Sequence, residues 1–290
     1  MRDRPLIVGV DGSDQSLTAL DWAVDEAARH GVELRILHAS VWERYEGIRP
    51  SFATDRPAEQ VMAENVVASC TERARLRDPH VKISADVLPE DPVTALVHAG
   101  HDAFAIVTGS RGRGGVPGLL LGSVSLAVAG RSMCPVFVVR GENTRGGTGR
   151  LVLGAHDVGE DTAAVRFAFR EAEVRGCVLH AVHAWRYPLH RGPAHPLLTE
   201  EATAAYEEGA SHTLSQVLST AEADHPDVEV RRRLMEGAPH KVLVHASADA
   251  DLVVLGALRR HGHFGLQLGR TGHALLHHSA CPVAVVPHRI

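Results

Sequence analysis

The sequence predicts an α/β protein made of two tandem copies of one Rossmann-like domain. Three observations carry that expectation: an internal repeat, a regular alternation of strand and helix patterns, and a glycine-rich loop after a buried strand. The repeat is read by laying the chain on itself. From Pro92 onward it aligns without a gap on Pro239 onward, at a constant offset of 147 residues. Val97-His98-Ala99 meets Val244-His245-Ala246, Gly109 meets Gly256, Leu121-Gly122 meets Leu268-Gly269, and CPVFVV (134–139) meets CPVAVV (281–286). The front halves match more loosely, LIVGVDGSDQSLTALDWAVDEAARHG against LVLGAHDVGEDTAAVRFAFREAEVRG. The copies span 1–140 and 151–290, and the polar, Gly-rich GENTRGGTGR (141–150) between them reads as a linker.

Each element of the first copy follows from local pattern. PLIVGV is a short apolar run ending at a turn, as a buried strand does. SLTALDWAVDEAARHG puts Leu17, Leu20, Ala23, Val24 and Ala27 on one helical face and stops at Gly31. ELRILHASV reads as a strand, 57–77 as a helix, VKISADV as a strand and PVTALVHAG as a short helix. FAIVTG is a buried strand, the glycine-rich loop follows, then a helix over 122–131 and the strand PVFVV. Alternation of this kind implies a parallel sheet covered by helices. Such sheets bind ligands beyond the carboxyl ends of their strands, where the strand order reverses.

Composition bounds the function. Of 290 residues, 44% are hydrophobic and 22% charged, so each half can build a core; with aromatics at 4%, those cores are mostly Ala, Val and Leu. The net charge of −5 argues against a non-specific nucleic-acid binder. No signal peptide is visible, and no apolar run approaches the roughly 20 residues a membrane helix needs, so no membrane partner is expected. Cys70, Cys134, Cys177 and Cys281 form no C-x-x-C pair; reduced thiols in a cytoplasmic protein are the simplest reading, with Cys134 and Cys281 as small core residues. His273 and His277 are four apart, a chelating spacing, but no carboxylate or thiol nearby completes a set, so RRHGHFG and these histidines read as solvated and no metal ligand is assigned.

The loop GSRGRGGVPGLLLGS (109–123) holds six glycines and two arginines. It precedes a helix, whose first N–H groups and partial positive charge attract anions. Glycine allows close backbone approach, Ser123 and Ser125 add hydroxyls, and Arg111 and Arg113 add charge. The loop is thus either a phosphate cradle or a mobile connection. It has no G-x-x-x-x-G-K-[ST], and no G-x-G-x-x-G follows the first strand.

Gly109-x2-Gly112-x9-Gly122-Ser123 resembles the G-x2-G-x9-G-[ST] signature of the universal stress protein family. GVDGSDQS after the first strand, LHA at the second and the closing CPVFVV resemble that family too, and the tandem form is similar to its actinobacterial class. The resemblance implies five-stranded parallel sheets with helices on both faces, ATP at the strand ends, and a cytoplasmic role in stress or dormancy. Carried over by position, Val10 and Asp11 end the first strand, and Asp11 would contact ribose or Mg²⁺; its other reading is a helix cap. Ala39 would lie against adenine, though a small residue also suits a core. Gly109, Gly112, Gly122, Ser123, Val124 and Ser125 would hold the phosphates. Arg111 would join them, or remain solvated as loop arginines commonly do.

In the second copy Gly256 and Gly269 persist, but Gly112 becomes Arg259, Ser123 becomes Arg270, Ser125 becomes Gly272, and the Asp11 position holds His156. At Arg259 a side chain stands where only hydrogen allowed close approach, and it would either block the phosphate or replace the lost backbone contacts with its guanidinium. The expectation is that the first copy binds ATP and the second does so poorly or not at all. Three function classes follow: a nucleotide-dependent stress regulator with an unidentified protein partner, a slow ATPase, or an interaction scaffold. A water-activating residue beside the loop is not evident, which disfavours the enzyme. The apolar PVFVV and PVAVV strands are expected at sheet edges, where they would pair the two domains; whole chains would form a homodimer through other surfaces.

Overall fold

The computed structural model describes residues 4–41, 58–113, 120–141, 147–155, 162–186, 200–258 and 268–288. These fall into two compact units, one on each side of residues 142–146.

In the first unit, strands β1 (Leu6–Gly9), β2 (Leu34–Ala39), β3 (Ile83–Leu88), β4 (Ala105–Gly109) and β5 (Val136–Val139) lie in the order β3-β2-β1-β4-β5. All neighbours are parallel, with Leu6 opposite Leu34 on one side and Ala105 on the other. Leu6, Ile7, Val8 and every residue of β4 are buried, as a sheet covered on both faces requires. Helices α1 (Asp14–His30) and α2 (Ala58–Arg77) cover one face; α3 (Pro92–Ala99), a short 3₁₀ turn (Gly100–Asp102) and α4 (Ser123–Arg131) cover the other. The order reverses between β1 and β4, so the open crevice falls at their carboxyl ends.

Local chemistry sets the helix limits. Ser13, not Asp11, caps α1: its Oγ accepts from Ser16 N–H at 3.3 Å. Gly31, at φ 62°, ends it in the left-handed conformation that glycine takes without cost. The predicted apolar face holds, with Leu20, Ala23, Val24 and Ala27 buried, while Leu17 is half-buried. Asp91 caps α3 through Thr94 N–H, with Pro92 at the first turn. Helix α2 runs parallel to α1 and is tied to it by two forked pairs, Arg73–Asp21 and Arg77–Asp25, at 2.6–2.7 Å.

The second unit repeats the plan. Strands β6 (Arg150–Gly154), β7 (Val178–Trp185), β8 (Val230–Glu236), β9 (Leu252–Leu258) and β10 (Val283–His288) take the order β8-β7-β6-β9-β10, all parallel. Helices α5 (Thr162–Arg175), α6 (Glu200–Asp224), α7 (Pro239–Ala246) and α8 (Arg270–His278) complete it. The segment read as a linker ends earlier than its pattern suggested: Arg150 already opens β6. Asp251 accepts hydrogen bonds from Thr148 N–H and Oγ and from Gly149 N–H, at 2.8–2.9 Å, and pins the entry to that strand. Among the described residues, no helix is long and apolar enough to cross a membrane.

Candidate functional site

At the carboxyl ends of β1 and β4 lies a cavity of about 350 Å³, within the range of small-molecule sites. It is lined by all ten residues singled out from the sequence: Val10, Asp11, Ala39, Gly109, Arg111, Gly112, Gly122, Ser123, Val124 and Ser125. Its apolar wall adds Leu37, Pro92, Leu96 and Leu121.

The β1 end is held by buried polar contacts. Val10 N–H donates to Leu37 O at 3.0 Å, and His38 Nδ1–H donates to Val10 O at 2.7 Å. His38 is 8% exposed, so the LHA pattern places an imidazole where it fixes the backbone beside the cavity. His183 Nδ1 lies 3.3 Å from Ala155 O in the second unit, the same arrangement made more loosely.

Asp11 joins two loops. Its Oδ1 accepts from Ser13 N–H (2.9 Å) and Ser13 Oγ–H (2.6 Å), and its Oδ2 from Arg113 N–H (2.7 Å). Burial pushes its pKa up, but hydrogen bonds from Ser13, Arg113 and Ser16 outweigh that and hold the carboxyl below its ordinary value. Asp11 therefore supports the cap of α1 without being that cap, and latches the glycine loop to β1.

The glycines serve separate ends. A Cβ on Gly109 would stand 2.7 Å from Gln15 O and 2.9 Å from Gln15 C, so this glycine lets α1 cross the end of β4. A Cβ on Gly112 would collide with Asp11 Oδ2, so this glycine admits the carboxylate. A Cβ on Gly122 would stand 3.5 Å from Arg111 Cα and Ser110 O, an ordinary contact, so this position tolerates a methyl. Gly122 precedes α4 and no side chain caps that helix. The N–H groups of Ser123, Val124 and Ser125 have no helical acceptor, and all three residues line the cavity. Ser125 Oγ–H donates to Gly109 O at 2.6 Å, tying helix to strand. Arg111 and Arg113 are exposed at the rim; the Arg113 guanidinium lies beside Gly12, whose φ is 80°.

Sequence reasoning passed over one lining residue of consequence. Thr108 is 4% exposed, lines the cavity, and its hydroxyl has no hydrogen-bond partner among the described residues. The available signal was a lone polar residue within the apolar run AIVTG.

In the second unit Arg270 is the first residue of α8 and Gly272 lies in its first turn. His156, Arg259 and the RRHGHFG segment lie outside the described residues.

The strand order and the loop define a class of parallel α/β protein with its crevice at the β1/β4 switch point. The family can be named from comparison: the model of the universal stress protein family matches residues 4–140 and again 148–287. The chain belongs to that family. It is 29% identical over 301 residues to universal stress protein Rv2005c of Mycobacterium tuberculosis, covering 97% of this chain and 96% of that one. It is 30% identical over 296 residues to a universal stress protein of Mycolicibacterium smegmatis, covering 98% and 97%. A crystal structure of a universal stress protein from Archaeoglobus fulgidus shares the fold, with TM-score 0.69, 19% identity and 99% of both chains covered.

Proposed function

We propose that the first unit binds ATP and that its occupancy is the signal by which this stress protein regulates a partner protein. One observation carries the reading: a cavity at the strand-order reversal is lined at once by a helix N-terminus with no side-chain cap, serine hydroxyls, the glycines Gly109, Gly112 and Gly122, and two exposed arginines. Amides and guanidinium groups there suit phosphates, and the Val10, Leu37, Ala39 and Leu96 wall suits an adenine face.

The residues also fit Mg²⁺ in a limited sense. Asp11 is the one carboxylate among the described lining residues, and both its oxygens already accept hydrogen bonds. The ion would be held mainly by phosphate oxygens, where it neutralises their charge, with Asp11 as one ligand once the Arg113 contact is exchanged. The same commitment makes Asp11 a poor base for hydrolysis, since its pKa is held low. Binding without turnover is therefore favoured over a slow ATPase.

Native mass spectrometry of the purified chain, before and after addition of Mg·ATP, tests the reading. The expected result is one adenine nucleotide per chain. A spectrum that stays ligand-free at millimolar ATP would overturn it and leave the scaffold reading.

A further inference from the structure

Strand β4 reads Ala-Ile-Val-Thr-Gly, and its threonine is out of keeping with its neighbours. A threonine hydroxyl can donate once and accept twice, yet Thr108 Oγ1 is buried with no partner among the described residues. A buried hydroxyl without a partner carries the full cost of leaving water. Val8 pairs with Val107, and one step on, Gly9 and Thr108 share the sheet face that carries Leu96. That face meets α3 and α4 and forms the cavity floor. The neighbouring hydroxyl, Ser125, is already committed to Gly109 O. Between these two buried hydroxyls, Thr108 is the uncommitted one.

The second unit differs at both positions. Leu255 stands in place of Thr108 and Gly272 in place of Ser125. Leu255 is 7% exposed, and its Cδ1 lies 3.4 Å from where a Cβ on Gly272 would stand. Two hydroxyls are gone, and a branched side chain reaches across the space toward the first turn of α8.

We propose that Thr108 is a specificity-determining residue of the first unit's nucleotide site, its hydroxyl donating to a phosphate oxygen held at the α4 N-terminus, and that Leu255 excludes the same group from the second unit. This rests on the ATP reading above. Phosphate is favoured over the base because in the second unit the side chain at this strand position reaches the first turn of the following helix, where the dipole attracts anions.

Calorimetric titration of the full chain with Mg·ATP and, separately, with adenosine tests it, using wild type, Thr108→Val and Thr108→Ser. Valine keeps the shape and removes the hydroxyl. Loss of one hydrogen bond to a charged group predicts ATP affinity weakened roughly 10-fold or more. Adenosine affinity should stay unchanged, and Thr108→Ser should restore ATP binding. Ligand-free Thr108→Val should melt at the wild-type temperature or above it, because no internal hydrogen bond is lost. Wild-type ATP affinity in Thr108→Val, an equal loss for adenosine, or a lower melting temperature of the ligand-free variant would each overturn the inference. Failure of wild type to bind ATP at all would instead remove the nucleotide reading beneath it.

Discussion

Replacing Gly109 by alanine tests why the glycine loop begins with glycine. The added methyl would meet Gln15 O at 2.7 Å, Gln15 C at 2.9 Å and Ser16 N at 3.2 Å. All three are backbone atoms of the first turn of α1, and that turn is held by the Ser13 cap and by Ser16 Oγ–H donating to Ser13 O. No flexible side chain can swing aside, so α1 and β4 must separate by several tenths of an ångström. Overpacking of this kind costs about 1–3 kcal/mol, which at roughly 2–4 °C per kcal/mol lowers the melting midpoint by about 2–12 °C. Gly122→Ala is the matched control. Its methyl would make only ordinary contacts, none nearer than 3.5 Å, and it should cost under about 1 kcal/mol through a weaker N-cap preference. Urea and thermal unfolding of the full chain, followed by circular dichroism, measure both. Wild-type melting of Gly109→Ala, or a larger loss in Gly122→Ala, would refute the assignment of the two glycines to different tasks.

Asp11→Asn should cost roughly 1–2 kcal/mol at neutral pH. Because the folded-state pKa of Asp11 lies below its ordinary value of 3.8, its contribution is complete above that value and fades as pH falls through the folded pKa. Urea midpoints of wild type and variant should therefore differ at pH 6 and converge below pH 3.8; a constant gap would contradict this. Asp251→Ala, which removes the bonds from Thr148 and Gly149, should destabilise the second unit by roughly 1–3 kcal/mol, read as a lower urea midpoint. The Asp251 pKa is also lowered, with burial opposed by the hydrogen bonds from residues 147–149, so that loss too should shrink in acid. His38→Ala leaves Val10 O without its 2.7 Å donor and should cost roughly 1–3 kcal/mol, with faster hydrogen exchange in β1 as the check.

Much of the fold was legible because it is written in local pattern. Alternating apolar runs and helical faces exposed both sheets, and the constant register of the repeat exposed the duplication. The glycine loop was legible as a feature, but its internal logic was not. Gly109 and Gly112 are glycines because Gln15 and Asp11 approach them, contacts made across about 100 residues of chain. Asp11 read as a candidate cap because capping residues crowd that turn, and only geometry shows Ser13 in that role with Arg113 N–H on the other carboxylate oxygen. The docking of α2 through Arg73 and Arg77 is likewise invisible in sequence, where Asp21 and Asp25 are ordinary surface charges. Thr108 passed as a strand residue because threonine suits strands; its meaning comes from burial without a partner. The replacement of Thr108 by Leu255 adds a buried difference to those at Arg259, Arg270, Gly272 and His156.

The most direct measurement is a crystal structure of the full chain grown in millimolar Mg·ATP. The account predicts a triphosphate against the N–H groups of Ser123, Val124 and Ser125, with adenine toward Val10 and Ala39, and no nucleotide at the corresponding strand ends of the second unit. An empty first cavity under those conditions, or nucleotide bound alike in both units, would contradict it.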